Sequence, residues 1–379
     1  MRPLLIITLL AGCGRAEKAP TTALADSLAA ISQRFATDNH LPGLAVGVWR
    51  QGQTVYRGGF GTTALQGGHP ITPATLFHMA SVTKPFVATA VIQLVEQGKV
   101  ELDQPVTAYL PYFRIKDPRA AGMTVRQLLT HTAGMPDVTD YRWGSPESDD
   151  GALERWVRTL ADSSLIGPLG GQWQYSNIGF EVLADLIAKV SGVPFEDYIQ
   201  RRILTPLGMR KSTLLMTDVD STLLAFGHEA DSAGVYRQSA GYPYNRRHAA
   251  SSTLHSNVDD MLRWAAANLA HGTLDGVRIV ADSSYRDLWG RQYDMTAGLA
   301  ARAKQAGVPV PFDSVAMGLS WFLPWRGGQR LVFHSGGDRG FRTDVLLAPD
   351  QQTAVVVMTN GDQTDVMGLA GALLAAALR

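Results

Sequence analysis

Apolar and polar positions alternate in two rhythms along this chain, and their order predicts its architecture. Over 24–37 the residues Leu24, Leu28, Ile31 and Phe35 recur at helical spacing, so this segment reads as an amphipathic helix. After Pro42-Gly43 comes Leu44-Ala45-Val46-Gly47-Val48-Trp49, then a turn at Gln51-Gly52-Gln53 and Thr54-Val55-Tyr56, the pattern of a hairpin. Short apolar runs return far downstream and predict strands over 317–322, 330–333, 342–347 and 353–359, with a turn at Pro349-Asp350-Gln351 between the last two. An Ala- and Leu-rich segment, 365–378, reads as a closing helix. The middle is mostly helical. Residues 81–97 carry Pro85 near the start and Gly98 after the end, and 180–190 is stopped by Ser191-Gly192 and Pro194. Ser256-Asn257-Val258-Asp259 reads as a capping box that opens a helix through Trp264. Strands at both ends with helices between predict an α/β fold: one antiparallel sheet from about 41–60 and 317–360, flanked by helices, with a helical subdomain inserted mainly over 81–270. No repeat or linker divides 23–379, which reads as a single domain.

The N-terminus changes the picture from a plain globular chain to an exported one. Arg2 precedes the apolar run 4–10, which is too short for the ~20 residues that span a bilayer but long enough for a signal-peptide core. It ends in Leu10-Ala11-Gly12-Cys13, which resembles the bacterial lipobox, so 1–12 is expected to be a lipoprotein signal peptide and 13–22 a tether. Cys13 is the chain's one cysteine, and a mature domain without another thiol suits an oxidising compartment. Lipidation of Cys13 would anchor the protein to a membrane, and Gly14 after it points to the periplasmic face of an outer membrane.

Composition adds exclusions. The 379 residues are 45% hydrophobic, enough for a sizeable core, and the 34 basic residues balance 34 acidic ones. No basic stripe argues for nucleic acid, and the balance suits a small-molecule or peptide substrate. There is no Gly-x-Ser-x-Gly elbow, no His-Glu-x-x-His, no phosphate loop and no cysteine cluster, so no cofactor or metal is expected.

Three short segments carry candidate chemistry. In Ser81-Val82-Thr83-Lys84 the two ends share a helix face, so the amine can reach the hydroxyl and take its proton; no other lysine has a serine three residues before it. A helix start there would favour a neutral amine and a developing anion. In Tyr175-Ser176-Asn177 the phenol can relay a proton and the amide can both donate and accept. His334-Ser335-Gly336-Gly337 ends a strand with small residues, along which a substrate backbone can lie. Each alone is compatible with a helix cap or a turn.

Together and in this order, Ser-x-x-Lys, Tyr-x-Asn and His-Ser-Gly resemble the penicillin-recognising serine hydrolases, in the branch of class C β-lactamases, Streptomyces-type DD-carboxypeptidases and related esterases. The segments Leu128-Leu129-Thr130-His131-Thr132-Ala133-Gly134, Pro206-Leu207-Gly208-Met209 and Gly340-Phe341 agree with it. The resemblance implies an acyl-enzyme on Ser81, with Lys84 and Tyr175 sharing the proton transfers. It also implies an oxyanion hole from the Ser81 and Gly337 backbone N–H groups, and Asn177, His334, Ser335, Gly336 and Gly337 as substrate contacts. Class C β-lactamases carry Lys where this chain has His334, so carboxylate binding is expected to be weaker and pH-dependent. The resemblance places DD-peptidase or D-amino-acid peptidase activity first, then esterase, then β-lactamase. A catalytically inactive lipid-anchored binding protein on the same fold is the alternative. The loop 135–150, with Tyr141 and Trp143, is expected to line the cleft, and His131 to be a structural hydrogen-bonding group.

Overall fold

The computed structural model describes residues 22–307, 309–310 and 312–379; the expected signal segment, Cys13 and nearly all of the expected tether lie outside them. Its frame is a nine-stranded antiparallel sheet. The strands are β1 (Gly43–Arg50), β2 (Gln53–Gly61), β3 (Tyr293–Asp294), β4 (Ser314–Met317), β5 (Phe322–Arg326), β6 (Gln329–Arg330), β7 (Val332–Asp338), β8 (Phe341–Ala348) and β9 (Thr353–Thr359). They lie in the order β2-β1-β9-β8-β7-β5-β4-β3, with β6 paired to β5, so the two chain ends meet where β1 pairs β9 from Leu44↔Thr359 to Arg50↔Thr353. The helices that matter here are α1 (Thr22–Asp38), α2 (Lys84–Glu96), α3 (Asn177–Ser191), α4 (Ala249–Ser252), α5 (Val258–Leu269) and α6 (Val366–Ala377).

Both faces of the central strands are covered, which is why they read as continuous apolar runs rather than strict alternation. Leu44, Val46, Val48, Val355 and Val357 pack with Leu28 of α1 and Leu369 and Leu373 of α6. Ala45, Val356 and Met358 turn to the other face, against Val258 and Met261 of α5. Gly47 is glycine because a Cβ would stand 2.5 Å from Val258. Each fully buried Leu or Val contributes roughly 1.5–3 kcal/mol relative to exposure. The helical layer is tied to this face by Trp264 of α5, stacked on Phe86 of α2 at 3.9 Å between ring centroids.

Three details depart from the sequence reading. Residues 317–322 are not one strand: β4 ends at Met317, β5 begins at Phe322, and the buried turn between them has Ser320 at φ +70°. Leu319 and Trp321 are apolar because that turn is inside, which imitates a strand pattern. The helix cap near residue 257 is Asn257 itself, whose side chain accepts from the Asp260 N–H at 2.8 Å. Finally, Ser81 precedes α2 in a tight 3-10 turn, Ala80–Thr83, and the α-helix begins at Lys84. Among the described residues no helix is long and apolar enough to cross a membrane.

Candidate active site

The tight turn decides how Ser81 meets Lys84. In 3-10 geometry residues three apart eclipse one another, and here the Lys84 Nζ donates to the Ser81 Oγ at 2.9 Å. Ala80, just before, is held at φ +47°, a conformation costly for a residue with a Cβ. Two contacts from the sheet hold that bend: the Thr343 Oγ1 donates to the Met79 carbonyl at 2.8 Å, and Gly336 lies so close that a Cβ there would stand 2.2 Å from the same oxygen. Gly336 therefore serves by letting β7 press against the Ser81 turn, and it does not line the pocket as the sequence reading expected.

Lys84 has no exposed surface, and its second hydrogen bond goes to the Ser251 carbonyl of α4 at 2.7 Å. Burial pulls its pKa down from 10.5 to about 7, against the raising influence of the carboxylates of Asp338, Asp137 and Glu181. The neutral amine is thus a product of desolvation, the first of the causes at work, rather than of the helix start invoked from sequence. Below it lies a polar knot: Glu181 of α3 accepts from the His248 Nδ1 at 2.7 Å, from the Ser251 Oγ at 3.0 Å and from the Trp156 Nε1. This holds the residue whose carbonyl holds Lys84.

Tyr175 sits just before α3, its ring stacked on His131 at 4.3 Å and 5.1 Å from the Lys84 Nζ. Burial raises the phenol's pKa, while a hydrogen bond with Ser81 opposes the rise. His131 is driven well below its usual pKa by burial, and its bare Nδ1 accepts the Ser176 N–H at 3.1 Å, the structural role read from sequence. Asn177 is the first residue of α3. Asp137 accepts its backbone N–H at 2.8 Å and its side-chain Nδ2 at 3.0 Å. That fixes the amide with its oxygen left for another partner.

Across the pocket, β7 pairs β5 only at Phe333↔Phe322, so from His334 onward its outer edge faces the cleft. His334 is 1% exposed, and burial holds its pKa at about 3. Its Nδ1 donates to the Ser335 carbonyl at 2.8 Å, so Nε2 is a bare acceptor with no protein partner. The expected partial charge and pH-dependent carboxylate binding at His334 are therefore corrected: the ring is neutral throughout the physiological range because it is buried. The Ser335 hydroxyl is engaged too, donating to Asp344 at 2.5 Å, where burial pushes the carboxyl's pKa up to about 7. Asp338 at the end of β7 is held by the His78 Nε2 at 2.8 Å.

Ser81, Tyr175, Asn177, His334, Ser335 and Gly337 all line one pocket of about 400 Å³, with Tyr141 from the loop 135–150. Trp143 stays outside it, stacked on Tyr141 at 5.1 Å. Sequence reasoning passed over Asp137, Glu181 and Asp338. A signal existed for Glu181, an acid inside the apolar run Ile178-Gly179-Phe180-Glu181-Val182-Leu183. Asp137 and Asp338 look locally like turn residues.

The beta-lactamase family model matches residues 28–378. The chain belongs to the beta-lactamase family. Within this family of serine hydrolases it is 25% identical over 323 residues to protein flp of Staphylococcus aureus, covering 85% of this chain and 60% of that one. To esterase EstB of Burkholderia gladioli it is 36% identical over 199 residues, 49% of this chain and 50% of the other. The match thus spans only half to three-fifths of the length of these curated relatives. The octameric penicillin-binding protein homologue from Pyrococcus abyssi superposes with a TM-score of 0.77 at 26% identity, covering 93% of this chain and 77% of that one. A class C beta-lactamase gives a TM-score of 0.74 at 21% identity, over 95% of this chain and 98% of that one, a likeness of fold.

Proposed function

We propose that this protein hydrolyses esters, or amides without a carboxylate beside the scissile bond, through an acyl-enzyme on Ser81. The observation that carries the reading is the 2.9 Å contact between the Ser81 Oγ and a buried Lys84 amine whose pKa is about 7. At neutral pH about half of that amine is a free base already in contact with the proton it must take.

Lys84 takes the hydroxyl proton as Ser81 attacks the carbonyl carbon. The backbone N–H groups of Ser81 and Gly337 stabilise the oxyanion, each such donor being worth about 3 kcal/mol of barrier. Tyr175, held in its phenol form by burial, passes its proton to the leaving atom and regains one from Lys84. Water then enters along the same path and cleaves the acyl ester. Asn177, clamped by Asp137, offers its carbonyl oxygen to a donor on the acyl side.

Charge sets the preference for neutral substrates and revises the order drawn from resemblance. Among the described residues no arginine or lysine lines the pocket, and His334 there is a neutral ring whose buried Nε2 carries no proton. A β-lactam or a D-alanyl peptide, each carrying a carboxylate, would meet the Asp338 side chain in the pocket, while the Arg342 guanidinium beside Gly337 is already engaged with the carbonyls of Asp338 at 3.0 Å and Phe341 at 2.8 Å. The 36% identity with an esterase over half the chain supports the same ordering.

A substrate panel tests this. p-Nitrophenyl acetate and butyrate should be turned over more efficiently than nitrocefin or a D-Ala-D-Ala peptide, and all turnover should vanish in Ser81→Ala. Ester hydrolysis surviving that substitution would defeat the acyl-enzyme, whereas no turnover by the wild type and no labelling of Ser81 by a fluorophosphonate would favour the binding-protein alternative. We also propose export and anchorage through Cys13, on the strength of 4–13. Cys13→Ser should abolish incorporation of labelled palmitate and release the protein from membranes.

A further inference from the structure

The cleft does not end at the Ser81 pocket. A second, larger hollow of about 820 Å³ runs under α6, between that helix and the exposed ends of β5, β7 and β8. Its lining is mostly apolar, including Leu331, Phe333, Leu346, Met367 and Leu374. Phe333 and Met367 also line the Ser81 pocket, so the two spaces share a wall. Met367 is 42% exposed at that junction.

The aromatic residues say which part of a substrate reaches the hollow. Tyr175, the group that gives a proton to the leaving atom, lies 6.1 Å from Trp173; Trp173 lies 6.0 Å from Phe322; and Phe322 stacks on Phe333 at 5.2 Å. Tyr175, Phe322 and Phe333 all line the Ser81 pocket, and Phe333 continues into the groove, so aromatic rings connect the leaving-group side of the reaction to its mouth. An apolar chain following them is covered on its protein side, while Ser335 and Asp344, the polar residues at the junction, satisfy each other.

We propose that this groove is a binding site for a linear aliphatic chain on the substrate's leaving group, so that the natural substrate is an ester of a medium- or long-chain alcohol. This rests on Ser81 being the nucleophile for the catalytic part, but the site itself is a property of the groove.

Gly371 provides the means to close it. It lines the groove from α6, and a Cβ there would meet nothing within 4 Å, so the side chain of Gly371→Trp starts into open space at the groove. Ala375→Trp, one turn further on, is the second variant. For linear alkyl acetates, followed by acetate release, kcat/KM should rise about 2-fold per methylene from ethyl to octyl, as expected for chain burial in a half-open site. Either tryptophan should flatten the rise and leave ethyl acetate unchanged. Calorimetry with octan-1-ol reads the groove without turnover: binding should be seen in the wild type and in Ser81→Ala and be lost in both tryptophan variants. If octan-1-ol does not bind, or binds the tryptophan variants equally well, the groove proposal is overturned. If instead it binds as expected while no acetate is released by any form, the groove stands and the reading of Ser81 falls.

Discussion

Because Lys84 is proposed to act as a free amine, acylation should carry its titration. With a pKa of about 7, the fraction of neutral amine is about one-tenth near pH 6, one-half near pH 7 and nine-tenths near pH 8. The burst of p-nitrophenol from p-nitrophenyl acetate should therefore accelerate roughly tenfold from pH 6 to pH 8 and then level off. Two other groups in the cleft are out of that window: His334 is held near 3, and burial raises Tyr175 above the usual phenol range. Asp344 is the competitor, since its carboxyl also titrates near 7. Asp344→Asn should keep the rising limb, whereas Lys84→Arg, charged at every pH, should remove acylation throughout. A limb that disappears with Asp344, or a burst independent of pH between 6 and 8, refutes Lys84 as the base.

The same burial makes a stability forecast with a definite sign. Lys84 falls from 10.5 to about 7 on folding, so between those values the unfolded chain binds more protons and stability rises with pH. Below about pH 7 the penalty is fully present, and a shift of this size corresponds to at most about 5 kcal/mol. Lys84→Met gives up hydrogen bonds to the Ser81 Oγ and the Ser251 carbonyl, about 1–3 kcal/mol. The net expectation is a protein more stable by about 2 kcal/mol near pH 6, with the advantage vanishing near pH 10. Urea unfolding at the two pH values decides it, and a variant equally destabilised at both would contradict the argument.

Other substitutions probe the supporting shell. Asp344→Asn should stabilise at pH 8 by up to about 4 kcal/mol and have little effect near pH 4, because its folded pKa is raised and the cost of its charge is fully present only above about 7; thermal melts at both values check it. Gly336→Ala should abolish the burst while leaving a folded protein, since a Cβ 2.2 Å from the Met79 carbonyl must push β7 away from the Ser81 turn; circular dichroism with burst kinetics separates the two. Glu181→Gln removes one of the charges that raise the Lys84 pKa, so the rising limb should move to lower pH; a loss of stability with an unmoved limb would mean that Glu181 only holds the fold.

The parts of the site legible in the sequence share one property: their partners are near in the chain or their pattern repeats. Ser81 and Lys84 are three residues apart, the α1 face is periodic, and the two ends of the sheet announce themselves as apolar runs bounded by turns. The supports were not legible because they join distant segments. Asp137 reaches Asn177, His78 reaches Asp338, and Glu181 gathers His248 and Ser251, pairs separated by 40 to 260 residues with no local rhythm. Likewise the apolar alternation of 317–322 resembles a strand because a buried turn needs the same residues a strand does.

Protonation state was the least legible property, and it is the one that redirects the function. A histidine at the third motif reads as a weak cation from its ordinary pKa, and burial reverses that expectation. A lysine three residues after a serine reads as a neutral amine favoured by a helix start, and burial supplies that state instead. Desolvation removes a proton from Lys84 and makes it a base; it removes one from His334 and makes it an acceptor. The base proposed for Ser81 and the loss of a cation at the third motif then share one physical cause, desolvation. The proposed activation of Ser81 and the proposed preference for neutral substrates would thus both follow from burial, and a single lysine at position 334 would supply a carboxylate anchor only if the protein admitted water to keep it charged.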